Sequence, residues 1–182
     1  MRHALRLHQD SNCAAATRIE VAVAWERHDR LVLSYVISGT IADIRLPQVA
    51  VPVRRDELWR HTCFEAFVGA ASGSGYYELN FAPSREWAAY HFDDYRSGMR
   101  VAEEITVSDI DVQVRGDCCM LQAALAFDRD FPHETGWRLG LSAVIEEVSG
   151  RVSYWALAHP PGRPDFHHAD GFALALAPAL SS

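Results

Sequence analysis

Apolar and polar residues alternate along this chain in short runs, and turn formers interrupt the alternation about every ten positions. Successive side chains of an extended strand point to opposite faces, so a period of two marks strands with one buried face. Such runs cover Arg18–Trp25, Arg30–Ser38, Thr62–Gly69, Tyr76–Phe81, Trp87–Phe92, Ile110–Arg115, Cys118–Phe127, Trp137–Glu147, Val152–Ala158 and Phe172–Leu176. Between them lie Glu26–Asp29, Gly39-Thr40, Pro83-Ser84, Gly116-Asp117 and Ser149-Gly150, whose residue types favour turns. The small-residue patch Ala70–Gly75 separates two strand runs and is expected to be a hairpin loop. Only a turn around Arg54–Trp59 has helical character. Many short strands in series predict an all-β fold, a β-sandwich or jelly roll of about ten antiparallel strands. With 182 residues there is room for one domain with a substantial core, spanning 1–182, and not for two.

The alternation also assigns faces. In Thr62–Val68, Phe64, Ala66 and Val68 suit a core and leave Cys63, Glu65 and Phe67 opposite. In Tyr76–Phe81, Tyr77, Leu79 and Phe81 suit the core and leave Tyr76, Glu78 and Asn80 opposite. If the two strands are antiparallel neighbours, Glu65, Tyr76, Glu78 and Asn80 share one sheet face. Acids, an amide and an aromatic ring together suit a binding surface; they equally suit an ordinary solvated face.

Composition narrows the function. A formal net charge of −7 is the wrong sign for nucleic acid or an anionic membrane surface. His3, His8, Gln9 and Asp10 interrupt any apolar core of a signal peptide, so a cytoplasmic location is expected. The four cysteines (Cys13, Cys63, Cys118, Cys119) include no CxxC pair and are expected to be reduced thiols. No nucleophile elbow, phosphate loop or dinucleotide glycine pattern occurs.

Several stretches have a familiar pattern. Asp56–Val68 contains Leu58-Trp59 followed by Phe64-Glu65-Ala66-Phe67, and Tyr76–Ser84 contains Tyr77, Asn80-Phe81 and Pro83. With Glu86–Tyr90, Tyr95–Met99 and Tyr154–His168, these resemble the bacterial DOMON-like proteins, relatives of the family 9 carbohydrate-binding modules. The similarity extends from the first strand run to the last. It implies a β-sandwich that binds a sugar or haem, depending on the member. In sugar-binding relatives, loop tryptophans clamp a saccharide while acidic and amide side chains hold its hydroxyls; the matching residues are Trp59, Glu65 and Asn80. In haem-binding relatives, Met and His or Lys ligate the iron. This sequence has Met99, Met120 and nine His, none of which aligns to those ligands.

The leading expectation is therefore a non-catalytic module for a small polar ligand, a carbohydrate above all. Its candidate residues are Trp59, Glu65, Tyr76, Glu78, Asn80, Arg96, Asp165 and His168. A haem-binding redox domain is the alternative. A glycosidase-like enzyme using Glu65 and Glu78 is a further one, since paired carboxylates across a cleft are glycosidase machinery. Trp59 either stacks on a sugar face or plugs one end of the sandwich. Arg96 either forks onto an anionic ligand group or clamps Glu65 or Glu78. The stiff loop His159–His168 holds His159, Asp165, His167 and His168 in place. It lacks the committed ligand spacing of a zinc site, and backbone hydrogen bonding by Asp165 and one His is its simplest role.

Overall fold

The computed structural model describes residues 1–27, 29–70, 73–128 and 136–178. Among them run thirteen strands: β1 (Arg2–Ala4), β2 (Arg6–Leu7), β3 (Ala16–Arg27), β4 (Arg30–Gly39), β5 (Cys63–Ala70), β6 (Tyr76–Phe81), β7 (Trp87–Phe92), β8 (Arg100–Val101), β9 (Ile105–Arg115), β10 (Cys118–Phe127), β11 (Trp137–Glu146), β12 (Val152–Ala156) and β13 (Leu174–Leu176). They form two antiparallel sheets. The smaller has the order β1-β3-β4-β10-β9; the larger runs β2-β12-β11-β5-β6-β7-β8, with β13 paired to one end of β11.

The core lies between the sheets and is built by the alternation. Ile19, Val21, Leu31, Leu33, Tyr35, Ile37, Leu121 and Leu125 of the smaller sheet meet Phe64, Ala66, Leu79, Phe81, Leu139, Leu141 and Ile145 of the larger. Trp25, Phe127 and Trp137 close one end, with Trp25 and Trp137 ring centroids 4.9 Å apart. Trp87, Trp137 and Trp155 belong to this core or pack against it.

Where the strands depart from the expected ranges, local causes are visible. β9 begins at Ile105, ahead of the expected Ile110, because a bulge at Ser108 resets the alternation from Ile105 and Val107 to Ile110 and Val112. β1, β2 and β8 hold only two or three residues each, too few to show a period. The expected turn over Arg54–Trp59 is a single 3-10 turn at Leu58–Arg60. Arg54 instead bridges Trp87 in a parallel pairing, and its guanidinium lies against the Trp87 and Tyr90 rings. Those contacts hold the segment extended up to the turn. β5 and β6 pair antiparallel on either side of the Ala70–Gly75 patch, as expected of a hairpin. Among the described residues, no helix is long and apolar enough to cross a membrane.

Candidate functional site

The larger sheet has a second apolar layer on its outer face. Leu58, Phe67, Tyr76, Ala88, Tyr90, Phe92 and Phe172 form it, with Phe166 packed against them. Side chains that the alternation excludes from the core thus find another apolar environment. The segment after β12 folds back over the sheet and covers it. Phe67 receives its rings, with centroids 5.1 Å from His167, 6.1 Å from Phe172 and 6.5 Å from Phe166. Gly140 permits this approach: a Cβ there would lie 3.3 Å from the Gly171 carbonyl oxygen.

Three polar residues are sealed beneath this cover. Register places Ser142 opposite Glu65, Glu65 opposite Asn80, and Glu78 opposite Phe67. Glu65 and Glu78 are therefore diagonal neighbours on one face of β5 and β6. Glu65 is 2% exposed, Glu78 5% and Asn80 0%, which replaces the solvated face that the sequence also allowed. Asn80 donates to Glu78 Oε1 at 2.8 Å, and Ser142 donates to Glu65 Oε2 at 3.2 Å. Burial, followed by the charge of Glu78, pushes the Glu65 carboxyl up to about 8; the Ser142 hydrogen bond opposes this. Burial also raises Glu78, against the Asn80 hydrogen bond and the charge of Arg96. At neutral pH the pair holds a proton that an exposed pair would release.

Two loops meet over the acids. The turn Asp93–Met99 is shaped by left-handed backbone at Arg96 (φ 51°) and Gly98 (φ 66°), and a Cβ at Gly98 would collide with the Asp93 carboxylate. Arg96 donates to Asp165 Oδ1 at 2.8 Å, Tyr95 donates to Asp165 Oδ2, and the His167 amide donates back to Asp165 Oδ1 at 3.1 Å. Asp165 is thus the rivet between the loops. Arg96 clamps it rather than either glutamate.

His167 is the innermost residue of the cover. Its Nδ1 lies 2.8 Å from the Tyr76 hydroxyl, and that hydroxyl accepts from the Arg96 amide at 3.1 Å. Burial, then the Arg96 charge, lowers His167 to about 4, so the imidazole is neutral at pH 7. The arrangement satisfying these groups has Tyr76 donating to Nδ1 and an Nε2–H facing Glu78 Oε2, 3.6 Å away. With a neutral ring that contact is not an ion pair.

These residues enclose a cleft of about 380 Å³. Its polar lining is Glu65, Glu78, Arg96 and His167; its apolar lining includes Trp59, Phe67, Phe92, Met99, Tyr154 and Phe166. Such dimensions and such a mixture fit a small ligand with a few directed polar groups. Trp59 stands at the rim, 36% exposed, its ring 6.1 Å edge-on from Tyr90. A second cavity of about 450 Å³ adjoins the first and shares His167 with it.

Of the residues singled out from sequence, Trp59, Glu65, Glu78 and Arg96 line the cleft. Asn80 lies under its floor and orients Glu78. Tyr76 supports His167, and Asp165 holds the loops together. His168 faces the adjoining cavity and caps the turn Ala169–Gly171, its Nδ1 accepting from the Asp170 amide at 3.2 Å. Its neighbour His167 is the one that enters the cleft. Ser142, Tyr154 and Phe166 escaped sequence reading. Ser142 could have been found by continuing the outward phase of β11 from Val144, whereas Phe166 sits on a loop with no period to follow. Met99 and His167, residue types of an axial haem pair, share the cleft, and Nε2 of His167, the nitrogen free of Tyr76, faces Glu78 Oε2 at 3.6 Å. No group of three or more His, Cys, Asp or Glu among the described residues could hold a metal ion. All four cysteines are free, with Cys63 and Cys119 buried.

No known family's sequence model matches this chain, and no curated protein matches it in sequence. Solved structures do match. A protein from Bacteroides uniformis described as carbohydrate-binding superposes with a TM-score of 0.68 at 13% identity, covering 97% of this chain and 85% of its own. A family 9 carbohydrate-binding module from Caldicellulosiruptor kristjanssonii, in complex with cellotriose, gives 0.52 at 10% identity over 89% of this chain and 74% of its own. At such identities the likeness is one of fold: the chain is an all-β sandwich of the architecture these two proteins share.

Proposed function

We propose that this chain is a non-catalytic, DOMON-like module that binds a saccharide in the cleft between the outer face of β5–β6 and the two loops joined by Asp165. The observation that carries this reading is the cleft's lining, in which buried carboxyls with Asn80 behind them face aromatic rings. Carboxyls and amides hold hydroxyls by directed hydrogen bonds, and rings stack on the C–H faces of a pyranose. The resemblance noted in Leu58–Pro83 and the fold shared with the Bacteroides uniformis and Caldicellulosiruptor kristjanssonii proteins support the same ligand class. Free cysteines suit a reducing compartment such as the cytoplasm. Isothermal titration calorimetry against a panel of mono- and disaccharides is the test. Binding of at least one sugar, lost in the Glu78→Gln and Trp59→Ala variants, is expected. Silence across the panel, or binding indifferent to both substitutions, overturns the reading.

A second reading has one specific observation behind it. Glu65 and Glu78 are neighbouring carboxyls on one face, and one is held protonated beside the other, as general acid–base pairs are. Release of nitrophenol from aryl glycosides by purified protein, abolished by Glu65→Gln, would favour a glycosidase. The binding-module reading expects none.

A further inference from the structure

We infer that the occupant of the cleft bears a positive charge, so that the saccharide class it takes is an amino sugar with a free ammonium group rather than a neutral hexose. The inference rests on the saccharide reading and deepens it.

The charge arrangement carries it. Glu65 and Glu78 line the cavity, and among the described residues neither forms an ion pair with an Arg. The sequence has no Lys to supply one. The nearest base, His167, is neutral. The one cation lining the cleft, Arg96, is committed to Asp165 at 2.8 Å and lies 5.8 Å from the Tyr95 ring centroid. Glu65 Oε2 takes the Ser142 hydroxyl, and no described group donates to Oε1. Arg96 acts on Glu78 only at a distance, so the pair is a buried acid site with no cation in contact, an arrangement that is costly unless a proton or a cation is present.

The apolar walls favour the same occupant. Phe67, Phe92, Tyr154, Phe166 and Trp59 surround the carboxyls, and ring faces attract ammonium groups, the more so where water is excluded. A neutral sugar would leave the acids to keep their proton. An aminated one replaces that proton with its own –NH₃⁺, three donors matched to carboxylate oxygens.

Calorimetry at pH 7 compares methyl glucosaminide with methyl glucoside and methyl N-acetylglucosaminide, which lacks the charge. The amine is expected to bind at least tenfold tighter than either. Its measured enthalpy should vary with the ionisation enthalpy of the buffer, reporting proton release from the carboxyl pair. Glu78→Gln should reduce the preference to twofold or less while circular dichroism and melting show a folded protein. Equal or tighter binding of the two neutral glycosides overturns the inference and leaves the saccharide reading standing. Binding of none of the three overturns both. Tetramethylammonium binding as tightly as the glucosaminide overturns the sugar component and keeps the charge. The comparison of ligands on the unaltered protein stands even if the variant fails to fold.

Discussion

The hydroxyl of Tyr35 on β4 donates a 2.7 Å hydrogen bond to the main-chain carbonyl of Glu65 on β5, across the interior of the sandwich. The two sheets are thereby tied at the residue whose side chain floors the cleft on the other side. Tyr35 is fully buried, so the hydroxyl has no water to fall back on. Tyr35→Phe leaves that carbonyl without this donor and is expected to cost about 1–2 kcal/mol. For a chain of this size that is a fall in Tm of about 2–8 °C. Thermal denaturation followed by circular dichroism measures it. No loss of stability would mean that the carbonyl finds another donor.

Stability should depend on pH in two opposed limbs. Glu65 moves from an ordinary value of 4.5 to about 8 in the folded protein, so above 4.5 the native state holds more protons than the unfolded chain. This contribution is complete below 4.5 and is lost as pH rises through 8. His167 moves from 6.5 to about 4, so below 6.5 the unfolded chain binds a proton that the native state refuses, and stability falls as pH drops. Between 6.5 and 8 only the carboxyl pair acts, at up to about 1.4 kcal/mol per pH unit for each proton. Urea denaturation at stepped pH should show stability declining over that window, and Glu65→Gln should flatten the decline. A wild-type curve level from 6.5 to 8 would mean that the carboxyl is ionised throughout.

The strands were legible because the core demands alternation, and Tyr76–Phe81, Trp87–Phe92 and Cys118–Phe127 have the bounds read from sequence. The shared face of Glu65, Glu78 and Asn80 followed from the same period once β5 and β6 proved to be antiparallel neighbours. Its burial did not follow. A period of two says which way a side chain points, not what lies beyond it, and here Phe166, His167 and Phe172 arrive from far along the chain. The choice between His167 and His168 was likewise beyond a sequence pattern. Adjacent residues on a loop diverge, and the direction of each is set by the Asp165 hydrogen bonds and the turn at Ala169–Gly171.

Trp59 is the cleft residue most separable from folding. It is 36% exposed on a 3-10 turn and makes one edge-on ring contact, with Tyr90. Trp59→Ala is therefore expected to change stability by about 1 kcal/mol or less, as is usual for a partly exposed site. Saccharide affinity should fall about tenfold or more, because a stacked ring face has no substitute at the rim. Titration calorimetry paired with thermal melting separates the two effects. A large loss of stability with unchanged affinity would place Trp59 in the packing of the sandwich end.

Asp165 joins the turn after β7 to the segment after β12 through Tyr95, Arg96 and the His167 amide. The Arg96 side chain is half exposed, so its ion pair alone contributes less than about 1 kcal/mol and global stability should barely change in Asp165→Asn. The effect should be local, because the side-chain amide keeps one acceptor oxygen but loses the charge and the second oxygen, and an NH2 donor then faces the Tyr95 hydroxyl or the Arg96 guanidinium. Amide hydrogen exchange is expected to speed up about tenfold or more in peptides spanning Tyr95–Met99 and Arg163–His168, with β5 and β11 unchanged. Saccharide binding should weaken with it, since the segment must be ordered again when the ligand enters. Exchange unchanged in both peptides would show that Phe166 and Phe172 alone hold the cover in place.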